Sequence, residues 1–241
     1  APVSSQLLRE TACYSQNGLV TYFADECLLD VLTDTTERAP TFMTPPFRSA
    51  DAPDAPVSWA FVKNPNCPTR EAWHRCFARA PRCIDWPPAR YESLGLSPEA
   101  AARVPAIDAE ALYGFDIGNE PCPEREQNGR SLATWVGLAS PPPAFTRHAA
   151  RYKEQSALTL AQTDAPNMKT PMRIFEHLAM KLILNALSTG TMACMGRITG
   201  NQMTWLAMSN KKLIDRSARI VSEQCGVAYP RALQELFYSV Q

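Results

Sequence analysis

LILNALSTGTMACMGRITGNQMTWLAMSNKKLIDRSARIV, residues 182–221, holds two different patterns in one run. Its first part continues RIFEHLAMKLILNALSTGTMACMGRI, residues 173–198, where Ile174, Leu178, Leu182 and further apolar residues sit nearly all round a helical repeat. A helix apolar on that many sides is buried on several faces. The second part is amphipathic: GNQMTWLAMS, NKKLIDRSARIVSEQCG and, beyond it, YPRALQELFYSV are separated by Gly200, Asn210 and Gly226 with Pro230. Three short helices forming a cap or lid are predicted there, with Met203 and Trp205 in their core. Lys181 and Asn185 stand four residues apart on the apolar helix. Polar groups so placed need partners, across an interface or in a pocket.

Upstream of this helix the pattern changes to short apolar runs. GLVTYFA (18–24), VSWAFVK (57–63), SLATWVGLAS (131–140) and SALTLAQTD (156–164) read as strands, and ALYGFDIGNE adds a short one at 111–117. Between the first two, TPPFRSADAPDAP denies helix and forms an extended connection. NPNCPTREAWHRCFARA follows the second strand, with Thr69 as helix cap and Trp73, Phe77 and Ala80 at helical spacing. Strands interspersed with helices argue a parallel sheet covered on its faces.

Composition narrows the functional classes. The chain has 241 residues, 45% hydrophobic and 20% charged, enough for one sizeable domain or a domain with a small appendage. Lys plus Arg and Asp plus Glu both number 24, so zero net charge points to neither nucleic acid nor an anionic membrane. No run of about eighteen apolar residues and no signal peptide occur, which makes a cytoplasmic setting the expectation. The chain starts at Ala1 without methionine and reads as a processed or excised piece. Eight scattered cysteines read as reduced thiols. Cys76, Cys83 and His74 lack a further close pair to complete a tetrahedral zinc set, so neither metal nor cofactor is expected.

Residues 182–221 closely resemble the C-terminal signature of N-acetylmuramic acid 6-phosphate etherases and the glucokinase regulatory protein. Lys181, Asn185, Ser188-Thr189-Gly190, Gly196, Gly200-Asn201, Ser209-Asn210-Lys211-Lys212-Leu213, Asp215-Arg216 and Arg219-Ile220-Val221 carry the likeness. It implies a sugar isomerase (SIS) fold, a flavodoxin-like αβα sandwich around a five-stranded parallel sheet, followed by a small helical lid. The expected division is a degenerate SIS domain over 1–195 and a helical, lid-like domain over 196–241.

The same resemblance reaches LTDTTERAPTF, residues 32–42, otherwise readable as a strand end or loop whose Glu37 is a helix N-cap neighbour or a loop acid paired with Arg38 or Arg48. Asp34 to Thr41 look like the family's Asp-Ala-Ser-Glu-Cys-Pro-Pro-Thr segment, which implies Glu37 as its catalytic glutamate. In such enzymes a carboxylate takes the proton beside the sugar carbonyl and an acid protonates the departing lactate oxygen. Thr35, Thr36, Lys169, Thr170, Lys181, Asn185 and Ser188 are the ligand-binding residues the resemblance implies. Three features depart from it. Phe23 to Asp30 have no glycine and carry Asp25, Glu26 and Asp30 where the family has a Gly-rich phosphate loop, so a dianion meets like charge and side-chain bulk. Ala78 falls where a second carboxylate is expected, and the acidic FDIGNEPCPEREQNGR (115–130) replaces a second small-residue loop.

The expected function is therefore a sugar-phosphate-related SIS-domain protein, non-catalytic, binding, regulatory or completing a partner's pocket. Its partner is another SIS domain, as a homodimer or a tandem, fused half. An active etherase-type lyase using Glu37 and a purely structural dimerisation module stay open beside it. His177 and His74 read as packing residues, His148 as solvated, and Lys211, Lys212, Arg216 and Arg219 as a solvated helix face.

Overall fold

The computed structural model describes residues 2–82, 86–104, 108–160 and 170–239. Helix α1 (Val3–Ser15) leads into β1 (Val20–Phe23), then α2 (Leu28–Phe42), β2 (Ala60–Lys63) and α3 (Thr69–Phe77). Four short helices follow, α4 (Pro88–Glu92), α5 (Pro98–Ala101), α6 (Ala109–Tyr113) and α7 (Pro123–Glu126). Then come β3 (Leu132–Gly137), α8 (Pro143–Ala149), β4 (Glu154–Thr159) and the long α9 (Ile174–Cys194). The hairpin β5 (Ile198–Thr199) and β6 (Gln202–Met203) precedes α10 (Lys211–Cys225) and α11 (Tyr229–Ser239).

The four strands β1 to β4 form one wholly parallel sheet in the order β2-β1-β3-β4. β1 and β2 are buried at every residue, as the continuous apolar runs of a sheet covered on both faces require. Because strand side chains alternate, Tyr22 joins Val20, Leu132 and Val136 against α1, α2 and α9, while Phe23 and Trp135 turn to the other face and meet Phe145 and Tyr152. Met180, Leu184 and Leu187 of α9 have no exposed surface, each adding roughly 1.5–3 kcal/mol of burial. No helix among the described residues is long and apolar enough to cross a membrane.

The α/β architecture with a parallel sheet and a mostly helical C-terminal region is as the sequence predicts, and six local readings are corrected. Residues 32–42 are the body of α2, not a loop. Pro40 sits near the end of that helix, where Ala207 N–H donates to its carbonyl at 2.9 Å and Met43 closes it in the left-handed conformation. The strand expected at 111–117 is instead the end of α6, nucleated by Asp108, whose carboxylate accepts from Ala111 N–H at 2.8 Å, followed by irregular chain.

Thr69 is not the cap of α3, a place taken by Pro68. Its hydroxyl turns to Asp116 and Glu120, 2.8 Å away from each. Finally, residues 200–209 form no helix. Gly200 takes φ +60° in the two-residue turn of the β5–β6 hairpin, a conformation that glycine enters at no steric cost. Trp205, expected in a core, is half exposed. His148, expected in solvent, is half-buried and stacks on Phe23 at 5.9 Å.

Candidate functional site

The C-terminal half of α2 stands on a buried polar network. Arg38, 3% exposed, donates from Nε and Nη2 to Asp34 one turn earlier, at 3.0 and 2.8 Å. It also donates to Tyr22 Oη at 3.0 Å and Tyr14 Oη at 3.2 Å. Tyr22 in turn donates to Glu10, which accepts a second bond from Gln6 Nε2 at 3.1 Å. Gln6 Nε2 also reaches Thr134 Oγ1 at 3.0 Å, tying α1 to β3. Burial pushes the Glu10 carboxyl above its usual range, and neighbouring Arg38 only partly offsets it. Glu10 Oε2 has no hydrogen-bond partner and lies 3.6 Å from Arg38. A charge so enclosed is held in one geometry, and the network makes a stiff floor.

Above this floor lies a cleft of about 310 Å³ bounded by α2, α9, the hairpin and α10. Glu37 enters it from α2, Asn185, Ser188 and Thr189 from α9, Asn201 from the hairpin turn, and Lys212 with Arg216 from α10. Each is placed by local chemistry. Asn210 caps α10 by accepting from Leu213 N–H at 3.0 Å. Burial of Leu213 and Ser217 then leaves Lys212 and Arg216, four residues apart, on the side facing the cleft. Arg197 clamps the hairpin by donating to the carbonyls of Phe42 and Met43 at the end of α2, where cations suit the helix dipole. Its guanidinium lies 4.6 Å from the Trp59 ring and 4.7 Å from that of Trp205.

Of the residues singled out in the sequence, Glu37, Asn185 and Ser188 meet in this cleft. Ser188 donates to Asp34 Oδ1 at 3.2 Å, so it belongs partly to the floor. Lys181 stands at the margin, 3.9 Å from Glu37 and donating to Thr33 Oγ1 at 3.3 Å. Thr35 is buried, its hydroxyl donating back to the Val31 carbonyl at 2.9 Å. Thr36 faces a separate apolar groove with Trp73 and Phe115. Thr170 accepts from Ile174 N–H at the start of α9, away from the cleft, and Lys169 lies outside the described residues, as does Cys83.

At the opposite end of α2 the acidic turn is saturated from within. Asp25 accepts from Asn64 at 2.9 Å and Asn66 at 2.8 Å, Glu26 pairs with Arg173 at 2.8 Å, and Asp30 meets His177 at 2.6 Å. The acids of 115–130 are likewise engaged: Asp116 holds Lys63 at 3.0 Å and Glu120 accepts from Thr69 N–H at 2.8 Å. Burial raises the Asp116 carboxyl. Glu120 goes the other way, its burial outweighed by hydrogen bonds from Asp116 and Thr69. Ala78 closes α3 in the left-handed conformation and offers no acid, and Glu71 pairs with Arg75 at 2.6 Å.

The buried network of Asp34, Arg38 and Glu10 and the clamp by Arg197 escaped the sequence reading. Asp34 and Arg38 carry a legible signal, an acid and a base four residues apart on a helix. Glu10 carries none, because α1 has little sequence periodicity to mark which side it buries.

No family model matches the sequence. It is 28% identical over 175 residues to an N-acetylmuramic acid 6-phosphate etherase of Bacteroides fragilis, covering 63% of this chain and 60% of that protein. It is 44% identical over 61 residues to the enzyme of the same name from Staphylococcus aureus strain USA300, 25% of this chain and 20% of that one. The match therefore spans about 60% of the length of the longer-matching relative. Over that stretch the chain is similar to the N-acetylmuramic acid 6-phosphate etherases, and its α/β fold with a wholly parallel sheet is consistent with a SIS-like fold.

Proposed function

We propose that this chain is a sugar-phosphate-related SIS-domain protein of the cytoplasm that binds or senses its ligand without transforming it, and that it pairs with another SIS domain. The observation that carries the reading is the cleft. Lys212 and Arg216 form no ion pair among the described residues and face a wall of neutral donors and acceptors in Asn185, Thr189 and Asn201. Two cations beside polar neutral groups suit an anionic, hydroxyl-rich ligand. The relatives' name supplies the sugar phosphate as the class to test first.

Absence of chemistry is argued from the carboxyl groups. Elimination wants two acids with separated proton affinities. Asp34, one turn from Glu37, is tied up by Arg38 and Ser188, and Ala78 offers nothing. Pairing is supported by α9, where Ile174, Leu178 and Leu182 are each more than half exposed in one stripe. Residues 1–195 and 196–241 serve in this reading as a degenerate SIS domain and its lid.

A thermal-shift series with sugar phosphates tests binding, because a ligand held only by the folded state raises the midpoint. No shift at millimolar ligand sinks the sensor reading and leaves a structural module. The second reading is a lyase with Glu37 as base, favoured by Glu37 and Asp34 sharing the cleft. Lactate released from N-acetylmuramic acid 6-phosphate by the intact chain, and lost in Glu37→Gln, would establish it over the first.

A further inference from the structure

The N-terminal end of α2 holds a cluster that the cleft does not use. Cys27, which precedes the helix, Asp30 in its first turn, and His177 of α9 bring a sulfur, a carboxylate oxygen and a ring nitrogen all within 4.8 Å of one another. Asp30 Oδ2 and His177 Nδ1 are 2.6 Å apart. The residues come from two helices 147 positions apart in sequence, so the tertiary structure assembles the set. We propose that Cys27, Asp30 and His177 form a binding site for one zinc-like divalent ion.

The donor chemistry selects the metal. A thiolate with an imidazole and a carboxylate is the mixed S, N, O set of a zinc site, and it disfavours calcium and magnesium, which take oxygen ligands. Three protein ligands leave a fourth position open. Binding replaces the thiol proton, which leaves to solvent, with the metal.

The surroundings favour a cation. Glu26 and Glu176 lie close by, and the nearest base, Arg173, is occupied by both, at 2.8 and 3.6 Å. Entry is available because Asp30 and His177 keep 17% and 31% of their side chains exposed, although Cys27 itself is buried. The site lies where the ends of β1 and β3 meet. There the strand order reverses, the usual position of ligands in open α/β sheets.

The test is a Co²⁺ titration of the full chain in a Cys194→Ser/Cys225→Ser background, which removes the two exposed thiols among the described residues. One equivalent should produce a thiolate-to-cobalt absorption band in the near ultraviolet, and Zn²⁺ should displace it and raise the melting midpoint. Cys27→Ala should abolish the band, and His177→Gln should weaken binding by about tenfold or more. If Cys27→Ala fails to fold, the His177→Gln and Asp30→Asn titrations still decide the matter. A band that survives Cys27→Ala, unchanged affinity in both His177→Gln and Asp30→Asn, or no band and no metal-dependent shift in the parent would overturn the assignment. None of these readouts involves a sugar phosphate, so the result stands apart from the cleft's function.

Discussion

The regions at the two ends of α2 both carry charged side chains and behave in opposite ways. At the N-terminal end Asp25, Glu26 and Asp30 each find a partner inside the chain, in Asn64 and Asn66, Arg173 and His177. At the C-terminal end Lys212 and Arg216 find none among the described residues, and Glu37 has only Lys181 at 3.9 Å. Charge that is neutralised internally serves the fold or a small cation. Charge left facing a cleft is available to a larger anion. The second end rests on the buried floor, where Arg38 holds Asp34 and the tyrosines in place.

The sharpest way to break that contrast is to remove the floor. Arg38→Ala leaves Asp34 and Glu10 buried without their cation, and the expected loss in a denaturant unfolding experiment is about 3–5 kcal/mol. A loss under 1 kcal/mol would mean that the network is not what stiffens α2. The next effect is on binding. Lys212→Ala and Arg216→Ala should each weaken a sugar phosphate about tenfold, as loss of a hydrogen bond to a charged group does. The ligand-free midpoint should barely move in either variant. If neither substitution changes the ligand-induced thermal shift, the cleft is not the anion site.

A third test uses pH. Burial raises the folded-state Glu10 carboxyl above 4.5, so the folded chain binds this proton more tightly than the unfolded chain. Its contribution to stability is complete below about pH 4.5 and is lost as pH rises through the raised folded value. Glu10→Gln should flatten the fall in melting midpoint on the alkaline side of that range, and an unchanged profile would contradict the assignment. The smallest effect is expected at the saturated turn's rim. Glu26→Gln removes an exposed pair with Arg173 and should cost no more than about 1 kcal/mol by chemical denaturation.

What could be read in advance follows from how local each signal is. β1 to β3 were found within a few residues, because a fully buried parallel strand is mostly apolar on both faces, with Thr21, Lys63 and Thr134 the polar exceptions. The helix of 173–198 was recognised from its apolar run, but its expected burial on several faces fails at Ile174, Leu178 and Leu182, which are each more than half exposed. The helix over 28–42 was misread because Thr35, Thr36 and Pro40 are weak helix formers, yet packing on α9 and the Arg38 network override propensity. The hairpin at 198–203 was taken for a helix because six residues set no period, and Gly200 speaks only through its backbone.

The sequence alone determined the class of fold and three residues of the cleft, Glu37, Asn185 and Ser188, because burial and helical spacing are written along the chain and the retained signature supplied the rest. Tertiary structure decided which charges are satisfied. Asp30 meets His177 across 147 positions and Glu10 shares the core with Arg38, while Lys212 is left open. Coulomb energy and desolvation depend on distance and enclosure in three dimensions, and neither is encoded in the order of residues.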